Sequence, residues 1–444
     1  MAAPKARKIL EMNAFDFERD AGKGSQSALL ARRRANFGAA SVLFYERPIE
    51  MVAAEGAWMT DAEGNRYLDF YNNVPSVGHT HPRVVEAVTR QIGTLNTNSR
   101  YLSRVTETYL ETLKATFPEP TFNVSLCCTG SEANDLAMRV AMMATGQQGF
   151  IVTEMAYHGN TLLSTNASPS AFKIGAAPDT IATVPAPGPL AYGDDIGGGF
   201  AAAVREATAT LDARGHGIAG FLCDSIFSSD GVFADPPGFL GAAVDAVHEA
   251  GGLYIADEVQ PGFGRTGSHL WGFSRHAVAP DIITMGKPMG NGFPMAGMAA
   301  RPELVAAFTA HFGYFNTFGG NPVAAAAGQA VLDVIEDEGL VANAGTVGAH
   351  LRDQLDAVAK ADPRVAAIRG AGLFLGVDLT TDGDPQNPDP ALASRVINGL
   401  RDEGVLIGAA GKYGHTLKVR PPLCLTKDEA DIFAERFAKV LARS

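Results

Sequence analysis

The sequence predicts an α/β protein built around a mainly parallel β-sheet that is covered by helices. Segments of strand character alternate with helical segments from about residue 84 to residue 329, a pattern typical of parallel sheets with both faces covered. Residues 252–256 and 282–284 are almost entirely apolar, as expected for strands buried on both faces. With 444 residues and 46% hydrophobic content, the chain can bury a large core and is expected to form two domains.

The regions on either side of this alternating segment have a different character. The first 72 residues or so predict an N-terminal arm, with a helix near residues 27–36 and short strands near residues 51–69. An alanine-rich helix is predicted from Pro322 onward and leads into a C-terminal α+β portion. The Asp- and Pro-rich run at 380–390 is predicted to be an exposed loop.

Composition argues against several classes of partner. The net charge of −12 disfavours nucleic acid and anionic membrane surfaces. Four cysteines without metal-ligand spacing or a disulfide framework predict no metal site and a cytoplasmic location. The basic N-terminus lacks the apolar stretch of a signal peptide, and no apolar stretch is long enough to cross a bilayer.

Lys287 is the first candidate catalytic residue. It follows the predicted strand at 282–284 and is preceded by a glycine. A lysine in a mostly desolvated pocket loses affinity for its proton and becomes an amine nucleophile that can capture a cofactor aldehyde. The alternative is a solvated loop lysine, so the interpretation depends on which residues converge on it.

Asp257 is one such residue. The predicted strand at 252–256 delivers it to the carboxyl end of a parallel strand, where open α/β sheets bind ligands. A carboxylate there can keep a pyridine nitrogen protonated, which makes pyridoxal an electron sink. Together with Lys287, it predicts pyridoxal 5'-phosphate as the cofactor, although an acid at a strand end can also be a helix cap.

A phosphate cradle is predicted after the strand at 124–127. Gly130 lets the backbone approach an anion, Ser131 adds a hydroxyl, and the first amides of the helix that follows supply further donors. The alternative is that Ser131 is a plain N-cap. Tyr157, after a predicted strand at 150–153, could stack on a pyridine ring or could belong to the core or its rim.

In this order, the motifs resemble the class III aminotransferase family of fold-type I pyridoxal phosphate enzymes, from about residue 49 to the C-terminus. The resemblance implies a fold-type I transferase with a large domain, whose mainly parallel sheet is covered by helices, and a small α+β domain. Residues 75–330 then form the large domain. Residues 1–74 supply the N-terminal arm and part of the small domain, and residues 331–444 supply the rest.

The resemblance also implies roles at the cofactor. Lys287 binds it covalently, Asp257 pairs with the ring nitrogen, and Gln260 contacts the ring hydroxyl. The implied cofactor-binding residues are Gly130, Ser131, Tyr157, His158, Asp224, Asp257, Gln260, Lys287 and Thr317. Thr317 matches the threonine that such enzymes lend to the partner subunit's cofactor phosphate, so the resemblance implies a homodimer.

Within the family, the segments 71–82, 95–102 and 417–422 look closest to the ethanolamine-phosphate phospho-lyase group. Lys418 stands where many class III aminotransferases have an arginine for the substrate carboxylate, just before a Pro-Pro pair. Asp224 stands in place of the glutamate that commonly interacts with that arginine. Asn160 departs from the phospho-lyase group, because the close phospho-lyase relatives are expected to have histidine at this position.

The predicted function is elimination of phosphate from a small phosphorylated amine, converting O-phosphoethanolamine to acetaldehyde, ammonia and phosphate. Cations must then face the leaving group, and the candidates are Lys418, Arg420 and Arg100, of which the two arginines could equally be surface ion-pair partners. His79 and His81 could donate to phosphate or be satisfied by backbone.

Three alternatives stay open. The same pocket serves an ω-aminotransferase that passes an amino group to pyruvate or 2-oxoglutarate, or a lyase acting on an aminophosphonate. A cofactor-binding regulatory protein that has lost catalysis is disfavoured because Lys287, Asp257 and Gln260 are intact.

Overall fold

The computed structural model describes residues 6–17, 28–40 and 42–444. Its α-helices are α1 Ala28–Phe37, α2 Pro82–Ile92, α3 Arg104–Lys114, α4 Gly130–Thr145, α5 Leu162–Asn166, α6 Pro189–Tyr192, α7 Ile196–Ala213, α8 Gly241–Glu249, α9 Pro302–Thr309, α10 Pro322–Asp337, α11 Leu340–Ala361, α12 Pro390–Asp402 and α13 Lys427–Ala442. Its strands are β1 Met51–Glu55, β2 Trp58–Asp61, β3 Arg66–Asp69, β4 Asn123–Cys127, β5 Gly149–Thr153, β6 Ile181–Val184, β7 Ile218–Cys223, β8 Leu253–Asp257, β9 Ile282–Met285, β10 Ala296–Ala300, β11 Val365–Ala371, β12 Phe374–Leu379, β13 Val405–Leu406, β14 Gly408–Ala410 and β15 Thr416–Val419.

The main sheet has the strand order β4-β10-β9-β8-β7-β5-β6. Strands β5 to β9 pair in parallel, while β10 is antiparallel to both β4 and β9. The mainly parallel sheet predicted from sequence is therefore confirmed. The reversal at β10 follows from its short connection to β9, residues 286–295, which holds no crossover α-helix.

Most predicted elements lie within one or two residues of the observed ones. The apolar runs after Gly252 and Asp281 become β8 and β9, and the alanine-rich helix begins at Pro322 as predicted. The N-terminal helix is α1, and residue 27, where its prediction began, lies outside the described residues. Residues 381–389 form a mainly exposed loop before α12, again as predicted.

The described residues also form two smaller sheets, β1-β2-β3-β13 and β11-β12-β15-β14. Strand β13 pairs in parallel with β3, so a strand from the C-terminal segment completes a sheet of the N-terminal segment. The rings of Phe70 and Phe433 stack at 4.1 Å and join the same two segments. The domain boundaries themselves stay predictions. Among the described residues, none of the helices has the length and apolar character needed to span a bilayer.

The carboxyl ends of the parallel strands position the site. Strands β4, β5, β7, β8 and β9 end at the same edge of the main sheet, since they run in the same direction. The residues delivered there are Cys128 to Ser131 after β4, Tyr157 and His158 after β5, Asp224 after β7, Asp257 to Gln260 at the end of β8, and Lys287 after β9.

Candidate active site

A cavity of about 350 Å³ lies at this edge of the sheet. The predicted cofactor residues line it, except for Thr317; they are Gly130, Ser131, Tyr157, His158, Asp224, Asp257, Gln260 and Lys287. Residues from distant parts of the chain therefore meet in one cavity, as the sequence motifs predict.

Lys287 opens a short 3-10 helix, Lys287–Gly290, directly after β9. Its side chain is accessible from the cavity, but protein surrounds it. The surrounding protein disfavours the charged ammonium and so lowers the pKa of Lys287. The negative charge of Asp257 opposes this effect, and the positive charge of Arg420 adds to it. The amine is thus easier to deprotonate than an ordinary lysine, as a nucleophile and base requires.

Asp257 ends β8 and is buried. Burial alone would raise the pKa of its carboxyl, but the hydrogen bond and charge of His158, followed by the charge of Lys287, bring the pKa below its usual range. Its Oδ1 atom accepts from the Val259 amide at 3.1 Å. The carboxylate therefore stays ionised, as pairing with a protonated pyridine nitrogen requires.

Asn134 holds the other side of this carboxylate, a role that sequence reasoning missed. From α4, its Nδ2 donates to Oδ2 of Asp257 at 2.9 Å and to the carbonyl of His158 at 2.8 Å. Its Oδ1 accepts from Thr284 Oγ1 at 2.6 Å. Asn134 stands three residues after Ser131, so its place in the first helical turn after the glycine was the available signal.

The predicted phosphate cradle is the N-terminus of α4. Thr129, rather than Ser131, is its N-cap and forms a capping box with Glu132, so the plain N-cap alternative for Ser131 is wrong. The Gly130 and Ser131 amides belong to the first turn, where no intrahelical acceptor exists, and they can serve an anion.

Two glycines allow close packing around this cradle. A Cβ at Gly130 would lie 3.0 Å from Val259. A Cβ at Gly159, whose φ is +139°, would lie 2.4 Å from Ser131 Oγ. This close approach also lets Ser131 Oγ accept from the Asn160 amide at 3.1 Å. The side chain of Asn160 is not among those that line the cavity.

Asp224 follows β7 and accepts from the backbone amides of Ile226 and Ser228, each at 2.9 Å. Burial raises the pKa of its carboxyl, and the Asp257 charge adds to this, while the hydrogen bonds oppose it. Among the described contacts, Asp224 makes no ion pair or hydrogen bond with Lys418. The two groups therefore influence each other through their charges and share no direct bond.

The candidate cations for substrate phosphate are placed differently from one another. Lys418, in β15, is 4% exposed and lies outside the cavity lining, with Nζ 5.5 Å from the Phe374 ring centroid. Burial, then the Arg420 charge, lowers the pKa of Lys418 well below its usual range. Arg420 is also buried and bonds to Gln260, so the surface ion-pair alternative for it is wrong.

Other candidates lie away from the cavity of this chain. Arg100 is exposed, with its guanidinium 4.0 Å from the Phe315 ring centroid, and Thr317 is exposed nearby. His79 bonds to Asp69 and His81 to Glu338, both through Nε2. The Nε2 atoms of these two histidines therefore face carboxylates rather than backbone, so the backbone alternative is wrong. Neither histidine lines the cavity, and donation to phosphate stays a prediction.

The chemistry of the lining fits pyridoxal 5'-phosphate. A helix N-terminus with a serine hydroxyl suits the phosphate, the carboxylate of Asp257 suits a protonated ring nitrogen, and the amine of Lys287 suits the aldehyde. Tyr157 supplies an aromatic ring in the cavity wall, where the stacking role remains a prediction.

Comparison with known proteins agrees with this chemistry. The family described as Aminotransferase class-III matches residues 44–441. Alanine–glyoxylate aminotransferase 2-like from Drosophila melanogaster is 38% identical over 94% of this chain and 87% of its own. Ethanolamine-phosphate phospho-lyase homolog 1 from Caenorhabditis elegans is 36% identical over 91% of each chain. A solved phospholyase from Arthrobacter in complex with phosphoethanolamine is 40% identical, with a TM-score of 0.90, over 94% of this chain and 100% of that one.

Proposed function

The chain belongs to the class III aminotransferase family of fold-type I, pyridoxal 5'-phosphate-dependent enzymes, and on that basis we propose that it is a phospho-lyase acting on a small phosphorylated amine. The proposed substrate is O-phosphoethanolamine, which with one water gives acetaldehyde, ammonia and phosphate. The Arthrobacter phospholyase, 40% identical and in complex with phosphoethanolamine, supports this choice.

The residues of the cavity suit the proton transfers of this reaction. The bound cofactor supplies an electron sink for the carbon that loses its proton. Lys287 Nζ, with its lowered pKa, takes the proton from the carbon that carries the amine. Asp257 holds a proton on the ring nitrogen because its carboxylate is fixed and ionised. Phosphate then leaves from the neighbouring carbon, and water releases ammonia and the aldehyde.

One observation carries the choice of a phosphorylated substrate: a buried lysine stands at position 418. Lys418 has no ion pair or side-chain hydrogen bond within the described part of the chain, and it lies within electrostatic range of Lys287 and Asp224. An approaching phosphate would favour its charged form. A compact ammonium suits a phosphate, whereas a planar carboxylate is better matched by the two-pronged guanidinium of arginine.

The runner-up is an aminotransferase that passes the amino group to a keto acid. The 38% identity to alanine–glyoxylate aminotransferase 2-like favours it. Turnover of phosphoethanolamine with and without pyruvate, 2-oxoglutarate or glyoxylate distinguishes the two. A lyase needs no acceptor, whereas an aminotransferase stops after one half-reaction and releases no phosphate.

We further propose that the enzyme is a homodimer in which Thr317 reaches the partner's cofactor phosphate. Thr317 lies in an exposed loop and is not part of the cavity lining of its own chain. Large exposed apolar side chains lie in the same loop and in the segment of Arg100 that contacts it; they are Leu95, Tyr101, Leu102, Phe312, Phe315 and Phe318. Such side chains are typical of a protein interface. Sedimentation of the holoenzyme and of Thr317→Ala, with the cofactor affinity of each, tests both parts.

A further inference from the structure

Arg420 makes three contacts beside the cavity. Its Nη1 atom donates to Gln260 Oε1 at 2.9 Å and lies 3.4 Å from Asn73 Oδ1. The guanidinium also lies over the Tyr71 ring, 4.6 Å from its centroid, and the residue is 9% exposed. These contacts hold one nitrogen of the guanidinium against Gln260.

This contact determines which way the Gln260 amide faces. A guanidinium can only donate, so the oxygen end of the amide must face Arg420. The nitrogen end then points away and donates to Ser228 Oγ at 2.6 Å. An amide nitrogen carries two hydrogens, and this bond uses one of them. Because Gln260 lines the cavity, the second hydrogen can serve a ligand there.

We propose that Arg420 is a positioning residue that fixes the Gln260 amide, so that its NH₂ group donates to the ring hydroxyl oxygen of pyridoxal 5'-phosphate. The proposal depends on the cofactor and on Gln260 facing its ring oxygen. It does not depend on the choice between lyase and aminotransferase. A flipped amide would set N–H against N–H at Arg420, leaving a buried donor without an acceptor.

The proposal predicts a change in the colour of the lysine-bound cofactor. The visible absorption of this cofactor changes with pH because it loses one proton, which the Lys287 nitrogen and the ring oxygen share. A donor to the oxygen favours the deprotonated form. Without the donor, the pH midpoint should rise by roughly half to one unit, since one hydrogen bond contributes about 0.5–1.5 kcal/mol.

A direct charge effect must be separated from this one. The charges that face the Lys287 amine are those of Asp257, Asp224, Lys418 and Arg420. Removal of the Arg420 charge alone would also raise the midpoint. A double-mutant cycle with Gln260 separates the two effects, because a direct charge effect does not need the amide.

The experiment is a pH titration of visible absorption for four holoenzymes: wild type, Arg420→Met, Gln260→Ala and the double variant. We expect each single variant to raise the midpoint and the double variant to match Gln260→Ala. A shift from Arg420→Met that persists in full in the Gln260→Ala background would overturn the proposal. An unchanged midpoint in Gln260→Ala would also overturn it, and this second test does not depend on whether Arg420→Met folds. An unchanged midpoint in Arg420→Met with a raised KM for phosphoethanolamine would also overturn it and assign Arg420 to the substrate.

Discussion

The Nδ1 atom of His158 lies 2.6 Å from Oδ2 of Asp257, and both side chains are buried beneath the cavity. An ionised carboxylate can only accept, so Nδ1 carries the hydrogen of this bond. The bond opposes the burial that would otherwise raise the pKa of Asp257. His158 therefore keeps the carboxylate ionised, and Asp257 can keep the cofactor ring protonated.

Loss of the His158 donor should make the enzyme more sensitive to acid. In His158→Leu, burial should raise the pKa of Asp257. Activity needs the Asp257 carboxylate in its charged form, which exists only above that pKa. We expect the acid limb of the kcat profile to move to higher pH. His158→Asn is the matched control, since its Nδ2 can replace the Nδ1 donor and should restore most of the profile. An unmoved acid limb in His158→Leu would contradict this role.

Lys287 should carry the cofactor covalently. Borohydride reduction of the holoenzyme should fix the cofactor to the peptide containing Lys287, because its amine has a lowered pKa and faces the cavity. Lys287→Ala should retain some cofactor noncovalently through Gly130 and Ser131, and lose turnover by a factor of about 10² to 10⁴ for the proton transfer alone. Attachment to any other lysine would contradict the assignment.

Lys418→Met should affect phosphorylated substrates selectively. The variant keeps roughly the volume of the buried side chain but removes the amine that, in the proposed reaction, the approaching phosphate would favour in its charged form. The expected loss in the barrier is about 2–4 kcal/mol for phosphoethanolamine, as for one well-placed charge-stabilising group. A plain amine such as 4-aminobutyrate is the control and should lose much less. Equal losses on both substrates would mean that Lys418 is structural.

Glu258 should make the fold less stable as the pH rises toward about 8. Burial raises the pKa of its carboxyl to about 8, against the hydrogen bonds from the Gly272 and Phe273 amides. Because the pKa in the folded state is above that in the unfolded chain, its stabilising contribution is full below the unfolded pKa and is lost as the pH rises through about 8.

Urea unfolding at a series of pH values tests this prediction. The wild-type midpoint should fall from mildly acidic pH to about pH 8 and level off above it, and Glu258→Gln should flatten that slope. Glu249→Gln, at an exposed carboxylate on α8, is the control and should keep the wild-type slope. A Glu258→Gln slope equal to that of the wild type would contradict the raised pKa.

Sequence reasoning succeeded where the chemistry is local. The apolar strands before Asp257 and Lys287 predicted both positions, because a strand buried on both faces leaves a clear pattern. Asn134 was missed because its contacts join α4 to β8 and β9, and its position after Gly130 and Ser131 indicates only that it lies near the cradle, not which residues it bonds. The partly buried contact between Arg420 and Gln260 spans 160 positions, so sequence alone left Arg420 as either a surface or a substrate residue.

The most direct test of the proposed function is a product balance for phosphoethanolamine with purified holoenzyme and no keto acid. Phosphate, ammonia and acetaldehyde are measured together through many turnovers. A phospho-lyase should release the three in equal amounts and continue past one turnover per site. Absence of phosphate release, with sustained amino transfer once a keto acid is added, would contradict the lyase and support the aminotransferase.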